Sequence, residues 1–168
     1  RVGMAQLEAS VEFGPSLEYR LHQGERDSLW FELPLRFAIT IENSPQNIGQ
    51  ILHPRLAWRL PSRNKDQWKL RFAGGPLYAS KRFHDYYYSV DDADKLDSRP
   101  AFQAEAGYSG LRADFTYSKR FGEYWLGGFV RYDSLEGSVI EDSPLVSDAS
   151  NWMAGIAIGW VFLEKPAD

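Results

Sequence analysis

The stretch Ser28-Leu-Trp-Phe-Glu-Leu-Pro-Leu-Arg-Phe-Ala-Ile-Thr-Ile-Glu42 alternates strictly between large apolar residues and residues of mixed polarity. The apolar positions are all odd: Leu29, Phe31, Leu33, Leu35, Phe37, Ile39 and Ile41. A period of two is typical of a β-strand with two different faces. The stretch exceeds the usual strand length of roughly 5–6 residues. It also exceeds the about 9–11 residues with which a tilted strand crosses a bilayer.

The same alternation recurs along the rest of the chain, which indicates a sheet built from antiparallel strands. The predicted strands occupy residues 6–21, 28–42, 52–60, 67–80, 106–119, 124–134 and 151–162. A strand in lipid needs hydrogen-bonding partners on both sides, and closure into a barrel provides them. We therefore predict an all-β fold, an antiparallel up-and-down transmembrane β-barrel. It would form a single domain over residues 1–168, with a C-terminal tail over 162–168.

Two pairs of breaker residues fall inside predicted strands. Gly14-Pro15 predicts a bulge or a local sheet edge in the first strand. Ser109-Gly110 leaves two alternatives for the fifth strand, because it either continues the strand or forms a tight turn that divides it.

The connections between predicted strands alternate between short and long. The short turns are 22–27, 61–66 and 120–123, and the longer connections are 43–50, 81–104 and 135–150. Outer-membrane barrels alternate short periplasmic turns with long external loops in this way. If the C-terminus is periplasmic, the first strand starts outside. Because such barrels have an even strand number, we expect the chain, which opens at Arg1, to lack its first strands.

Composition excludes several functional classes. The 168 residues carry a formal net charge of −4 and contain no cysteine. An acidic chain is a poor nucleic-acid binder, and the lack of cysteine removes disulfides, thiolate metal sites and cysteine nucleophiles. No apolar run approaches the roughly 20 residues of a transmembrane helix. We expect neither a cofactor nor a metal site.

Alternation alone does not say which face is outside. A soluble lipocalin-like barrel would carry its apolar side inside. Long strands, alternating connections and aromatic residues near strand ends favour lipid outside. We expect no charges on the apolar faces, because one at the membrane midplane costs about 2–4 kcal/mol. The residues expected in two interfacial aromatic girdles are Tyr19, Trp58, Trp68, Tyr78, Tyr124, Tyr132, Trp152, Trp160 and Phe162.

The polar face predicts a charged lumen. Its residues on the first four strands are Glu8, Glu12, Glu18, Arg20, Glu32, Arg36, Glu42, Arg55, Arg59, Lys69 and Arg71. The first two strands are mainly acidic and the next two are basic. One interpretation is an acidic wall facing a basic wall, whose field would act on a small polar solute. The other, which we favour for a small barrel, is a lumen filled by mutually paired charges.

Several motifs in the second half occur in a familiar order. Tyr88-Ser-Val90 and Ala106-Gly107 precede Tyr124-Trp125, and Asp142-Ser-Pro-Leu-Val146 precedes Gly155-Ile-Ala-Ile-Gly-Trp-Val-Phe162. This order resembles the MipA/OmpV family of MltA-interacting outer-membrane proteins. The resemblance is closest over residues 86–162 and extends more weakly over 8–60.

The resemblance implies a barrel in the outer membrane of a Gram-negative bacterium, in contact with outer-membrane lipid. It further implies a non-enzymatic scaffold for two partners, a lytic transglycosylase and a peptidoglycan synthase. The alternatives within the family are a narrow porin for small polar solutes and a surface adhesin.

Candidates for catalysis are weak. The histidines are His22 in a predicted turn, His53 near the external end of the third strand and His84 in a loop. No nucleophile elbow or metal-ligand spacing accompanies them, so we predict no catalytic residues. The loop motif Asp142, Ser143 and Pro144 is expected to shape the last external loop. The run 86–88 of three tyrosines would either contact a ligand or pack on the barrel rim.

Overall fold

The computed structural model describes residues 3–42, 44–60, 68–160 and 162. In these ranges the chain forms one antiparallel sheet and one short helix, which confirms the predicted all-β fold. The strands are β1 (Ser10–Phe13), β2 (Ser16–Gln23), β3 (Ser28–Thr40), β4 (Asn47–Leu52), β5 (Arg55–Leu60), β6 (Lys69–Ala79), β7 (Gly107–Phe121), β8 (Tyr124–Ser134) and β9 (Ser150–Trp160), and the helix is α1 (Lys81–Tyr88). The predicted turn 61–66 and the tail 163–168 lie outside the described residues.

β1 and β2 are the two halves of one longer strand, and so are β4 and β5. Counted in this way the sheet has seven strands in the described ranges, which is the number predicted. The pairing of β1 and β2 with β3 continues in one register from Phe13 to Ser16. The expected bulge at Gly14-Pro15 is therefore wrong, and the alternative of a sheet edge is right. β4 and β5 are likewise continuous in register across His53-Pro54. Proline donates no backbone hydrogen bond, which interrupts the ladder at both places.

The sheet is a meander in which each long strand lies beside its neighbours in sequence. The turn end of the sheet carries the connections 24–27 and 122–123, and the loop end carries 41–46, 80–106 and 135–149. In the described part of the chain, β1–β2 and β9 are the sheet edges. Glu12 of β1 and Asn151 of β9 nevertheless line one cavity, so the sheet curls until its two edges approach each other.

The sheet has an interior face and an outer face of opposite character. The interior face contains the even-numbered residues of β3, including Glu32 at 1% exposure and Ala38 at 0%. Large apolar side chains point outward and reach 86% exposure at Ile156. Lys119 corrects the prediction that the outer face carries no charge. It lies opposite Leu126 near the turn end, with its ammonium 4.4 Å from the Phe121 ring centroid, where a long side chain extends past the apolar surface.

The element boundaries differ from prediction where glycine permits close backbone approach. β7 is continuous, so the alternative of a turn at Ser109-Gly110 is wrong. The register shifts there instead, and Gly110 has φ 114°. β4 begins at Asn47 rather than at residue 52. Gly49 has φ 126°, and a Cβ there would lie 2.5 Å from the backbone nitrogen of Phe83, so this breaker residue lets the strand pass under α1.

Helix α1 occupies the start of the connection that was predicted as a loop. The Ser80 hydroxyl caps it by accepting a hydrogen bond from the backbone N–H of Phe83. Isolated helices of this length are unstable, and α1 packs against β4. Its stability therefore comes from tertiary contacts that the local sequence does not reveal.

No helix in the described ranges is long and apolar enough to cross a membrane.

Candidate functional site

The Glu32 carboxylate lies on the interior face and accepts hydrogen bonds from three guanidinium groups. Arg55 Nε is 2.7 Å from Oε2, and Arg71 Nη2 is 2.6 Å from the same oxygen. Arg59 Nη2 contacts Oε1. Strand register produces this arrangement, because Arg55 lies directly opposite Glu32, and Arg59 lies opposite Arg71 on the next strand.

Two further carboxylates complete what we call the central cluster, which consists of Glu18, Glu32, Arg55, Arg59, Arg71 and Asp114. Asp114 Oδ2 is 2.6 Å from Arg71 Nη1, and Glu18 Oε2 is 2.8 Å from Arg59 Nη2. Three carboxylates thus face three guanidiniums, and the formal charge of the cluster is zero. The acidic strands adjoin the basic strands, so their charges meet directly. This geometry favours the interpretation of a lumen filled by paired charges.

The other predicted lumen residues lie outside the central cluster. Arg20 donates to Gln23 Oε1 at 3.2 Å and stacks on Trp30. Arg36 donates to the Gly14 and Pro15 carbonyls at 2.8 and 2.9 Å. Of the remaining four, Glu8 precedes β1, Glu12 lines the loop-end cavity described below, Glu42 follows β3, and Lys69 lines the turn-end cavity.

Each end of the sheet holds a cavity that shares residues with the central cluster. The turn-end cavity is about 610 Å³ and is lined by Arg59, Lys69 and Arg71 on one side and by Trp125 and Phe129 on the other. Both rings lie across glycines of the interior face, since a Cβ at residue 127 would lie 2.1 Å from the Trp125 ring. The loop-end cavity is about 410 Å³ and includes Arg55 in its lining.

Sequence reasoning missed two acidic partners on the interior face. Asp114 belongs to the central cluster, and Asp133 lies 2.5 Å from Arg112 Nε at the loop end. A usable signal existed, because alternation already placed both carboxylates on the polar face of the fifth and sixth predicted strands.

The predicted aromatic residues all lie in strands or next to them, and most are strongly exposed. Trp58, Trp68, Tyr124, Trp160 and Phe162 lie toward the turn end, Tyr78, Tyr132 and Trp152 toward the loop end, and Tyr19 within β2. Tyr132 and Trp152 pack with ring centroids 4.7 Å apart. Aromatic residues thus lie toward both ends of the sheet, where interfacial girdles would place them, and the girdles themselves stay a prediction.

The sequence model of one family, described as MltA-interacting protein MipA, matches residues 1–162. The chain belongs to the MipA family. This confirms the family resemblance drawn from the ordered motifs. No curated protein and no solved structure matches the chain.

In this MipA-family chain the loop motif ties the last long loop to α1. Ser143 is 3% exposed, and its hydroxyl donates to the Tyr88 carbonyl at 2.6 Å. The same oxygen accepts from the Leu145 backbone N–H at 3.3 Å. Asp142 is exposed and Pro144 half-buried. Ser143 thus makes the long-range contact of the motif.

The tyrosine run packs inward on the rim of the MipA-family sheet. Tyr86 accepts a hydrogen bond from the Glu8 backbone N–H at 3.0 Å, and the Tyr87 hydroxyl lies 2.9 Å from Ser10 Oγ. Burial raises the pKa of Tyr88 above its ordinary value. These contacts favour rim packing over ligand contact for Tyr86 and Tyr87, whereas Tyr88 lines the loop-end cavity.

The histidines lie elsewhere than predicted. His22 belongs to β2 rather than to a turn, because that strand continues to Gln23. His53 lies at the junction of β4 and β5 and is 6% exposed. His84 belongs to α1 and is fully buried, and burial lowers its pKa below the ordinary value.

His84 is hydrogen-bonded at both ring nitrogens. Nε2 lies 2.7 Å from Ser109 Oγ, and Nδ1 contacts the Glu105 carbonyl. The carbonyl is only an acceptor, so Nδ1 carries the proton and neutral Nε2 accepts from the serine. A serine–histidine pair is part of a hydrolytic site, but here a carbonyl replaces the acid and the imidazole is sealed from solvent. The pair fastens α1 to β7. In the described residues no group of three or more His, Asp or Glu side chains is placed to hold a metal ion.

Proposed function

We propose that this chain is part of an outer-membrane β-barrel that acts as a non-enzymatic scaffold for a lytic transglycosylase. The observation that carries the proposal is the match to the MltA-interacting family over residues 1–162. The family description names an interaction with MltA. A peptidoglycan synthase held by the same barrel would complete the scaffold.

The interior face supports a scaffold more than an open ion pore. The central cluster is formally neutral, and its acidic centre, Glu32, is almost fully buried. Charges that are paired with one another produce only a weak electrostatic field along the interior, so they would do little to attract or select an ion. The outer face supports the membrane setting, because its exposed apolar residues would be buried in lipid.

We propose that partners bind at the turn end, which would face the periplasm of a Gram-negative cell. The turn 24–27 presents Glu25 and Arg26 next to Asp27, whose carboxylate accepts from Trp58 Nε1 at 2.8 Å. The Trp58 contact fixes the turn, so substitutions at Glu25 and Arg26 change the surface while preserving the strand ends.

The test is capture of purified MltA by the full-length protein in detergent. The double variant Glu25→Ala/Arg26→Ala should weaken capture, whereas the loop-end variant Asp92→Ala/Lys95→Ala should leave it unchanged. The control removes one acid and one base in the same way, from an exposed pair 3.0 Å apart. Equal capture by all three proteins refutes the turn end as the binding surface. If wild-type protein does not capture MltA, the scaffold itself is refuted.

The second candidate is a narrow porin. The observation in its favour is that cavities of about 610 and 410 Å³ lie at the two ends and both include residues of the central cluster. Rearrangement of that cluster would be the step that joins them. Conductance across a planar bilayer distinguishes this candidate from the scaffold.

A further inference from the structure

The loop-end cavity is enclosed by parts of the chain that are distant in sequence. α1 contributes Phe83 and Tyr88, the loop 135–149 contributes Asp148, and β9 contributes Asn151. Its volume of about 410 Å³ lies within the range of small-molecule sites, roughly 300–1,000 Å³. A cavity that combines aromatic side chains with convergent polar groups is the usual form of such a site.

The charged residues that line this cavity balance one another. The carboxylates are those of Glu12, Asp133 and Asp148, and the guanidiniums are those of Arg36, Arg55 and Arg112. With three of each sign the formal charge of the lining is zero.

Each of the three guanidiniums already has a partner. Arg36 donates to backbone carbonyls, Arg55 to Glu32, and Arg112 to Asp133. Arg112 is thus neutralised within the lining and Arg55 by Glu32 outside it, which leaves Arg36 beside the two carboxylates of Glu12 and Asp148. The charge that remains on the lining is negative, so an anionic solute would be repelled, and burying an unpaired charge is costly.

The lining offers hydrogen-bonding groups suited to hydroxyls. Ser150 and Asn151 present a hydroxyl and an amide, and Glu12 and Asp148 present carboxylate oxygens, which accept hydrogen bonds. His53, also in the lining, is 6% exposed, and its Nε2 has no hydrogen-bond partner among the described residues. An unsatisfied buried nitrogen is destabilising until a partner reaches it.

We propose that the loop-end cavity binds a small polyhydroxylated solute of monosaccharide size that carries no negative charge. Its hydroxyls donate to the carboxylates and accept from Asn151, and its ring packs against Tyr88 and Phe83. The proposal is independent of the scaffold function, because it concerns the opposite end of the sheet from the proposed partner surface.

The test is calorimetric titration of the full-length protein in detergent with glucose and glucuronate. Glucose should bind saturably in the millimolar range, since each polar contact only replaces one made with water. Glucuronate should bind at least about tenfold more weakly, because its carboxylate enters a cavity that Glu12 and Asp148 already line with the same charge.

Two variants locate the site. Asn151→Leu removes the amide at nearly constant size and should weaken glucose binding about tenfold. Met153→Leu is the matched control, since it lies two residues along the same face of β9 and does not line the cavity. Ser150→Ala serves if Asn151→Leu does not fold, as judged by circular dichroism. The proposal is overturned if folded wild-type protein does not bind glucose, if it binds glucuronate as tightly as glucose, or if the Asn151→Leu variant binds glucose as tightly as the wild type.

Discussion

Replacement of Glu32 by glutamine should cost far more stability than the same replacement of Glu18 in the central cluster. The variant leaves three guanidiniums with two carboxylates. Breaking a buried ion pair by removing one partner costs about 3–5 kcal/mol. The arginine side chains are 22–31% exposed, so water screens part of the released charge. We therefore expect the free energy of unfolding to fall by about 3 kcal/mol, at the lower end of that range.

The assay is urea unfolding in detergent micelles, followed by tryptophan fluorescence. Glu18→Gln is the matched control, because Glu18 is 43% exposed and its one ion-pair partner among the described residues is Arg59. Exposed pairs contribute about 0–1 kcal/mol. If Glu32→Gln loses no more stability than Glu18→Gln, the buried ion pairs of Glu32 do not stabilise the fold.

A double-mutant cycle separates charge balance from packing. Glu32→Gln combined with Arg71→Gln leaves two carboxylates and two guanidiniums, so the double variant should lose at least about 1 kcal/mol less than the sum of the single variants. Strict additivity would show that the two side chains act independently and would contradict the direct contact at 2.6 Å.

Three further outcomes follow from the described contacts. In a planar bilayer the full-length wild type should insert without discrete conductance steps, whereas Glu32→Gln should conduct anions preferentially. If the wild type shows conductance steps, and their ion selectivity changes when the charges of Arg55 and Arg59 are reversed, the protein is a porin instead. Gly75→Ala should lower the free energy of unfolding by several kcal/mol, since its Cβ would lie 2.1 Å from the Pro54 carbonyl oxygen. The measurement is urea unfolding, and the control is Gly74→Ala, whose Cβ would have its nearest atom at 3.4 Å. Because the pKa of His84 is lowered in the folded protein, the unfolded chain binds the proton more readily, and stability should fall as pH drops below the ordinary pKa of 6.5. His84→Gln should make the dependence of the free energy of unfolding on pH less steep. An unchanged dependence would mean that other groups cause it.

The sequence predicts the sheet well because its signal is strictly local. A period of two fixes which residues share a face, and the first strand keeps its alternation across Gly14-Pro15 because the register does not shift there. The same alternation placed Glu32 and Arg55 on one face. Their contact, however, depends on the register between strands, which the sequence does not specify residue by residue.

What could not be predicted lies at the loop end. α1 exists because it packs on β4, and its contacts join residues far apart in sequence, as with Tyr87 and Ser10. His84 and Ser109 are 25 residues apart and belong to a helix and a bulged strand. No periodic pattern relates such positions. The loop-end cavity depends on these same contacts, so it could not be predicted from the sequence either.

The distribution of burial favours the proposed membrane setting over a soluble one. A soluble barrel with an apolar interior would bury its large aliphatic and aromatic side chains, but four of the eight buried apolar residues in the described ranges are alanines of the strands, Ala38, Ala57, Ala73 and Ala79. The large apolar side chains are outside instead, with Trp152 at 67% and Ile158 at 75% exposure. In water this surface would promote association, because exposed apolar patches of such extent are rare on monomeric soluble proteins. In a lipid bilayer the same apolar surface would contact hydrocarbon chains. Paired charges would then occupy the interior, which a soluble protein fills with apolar side chains. In the proposed membrane setting, the alternation that first indicated strands would have its physical cause in two solvents, one on each face of the sheet.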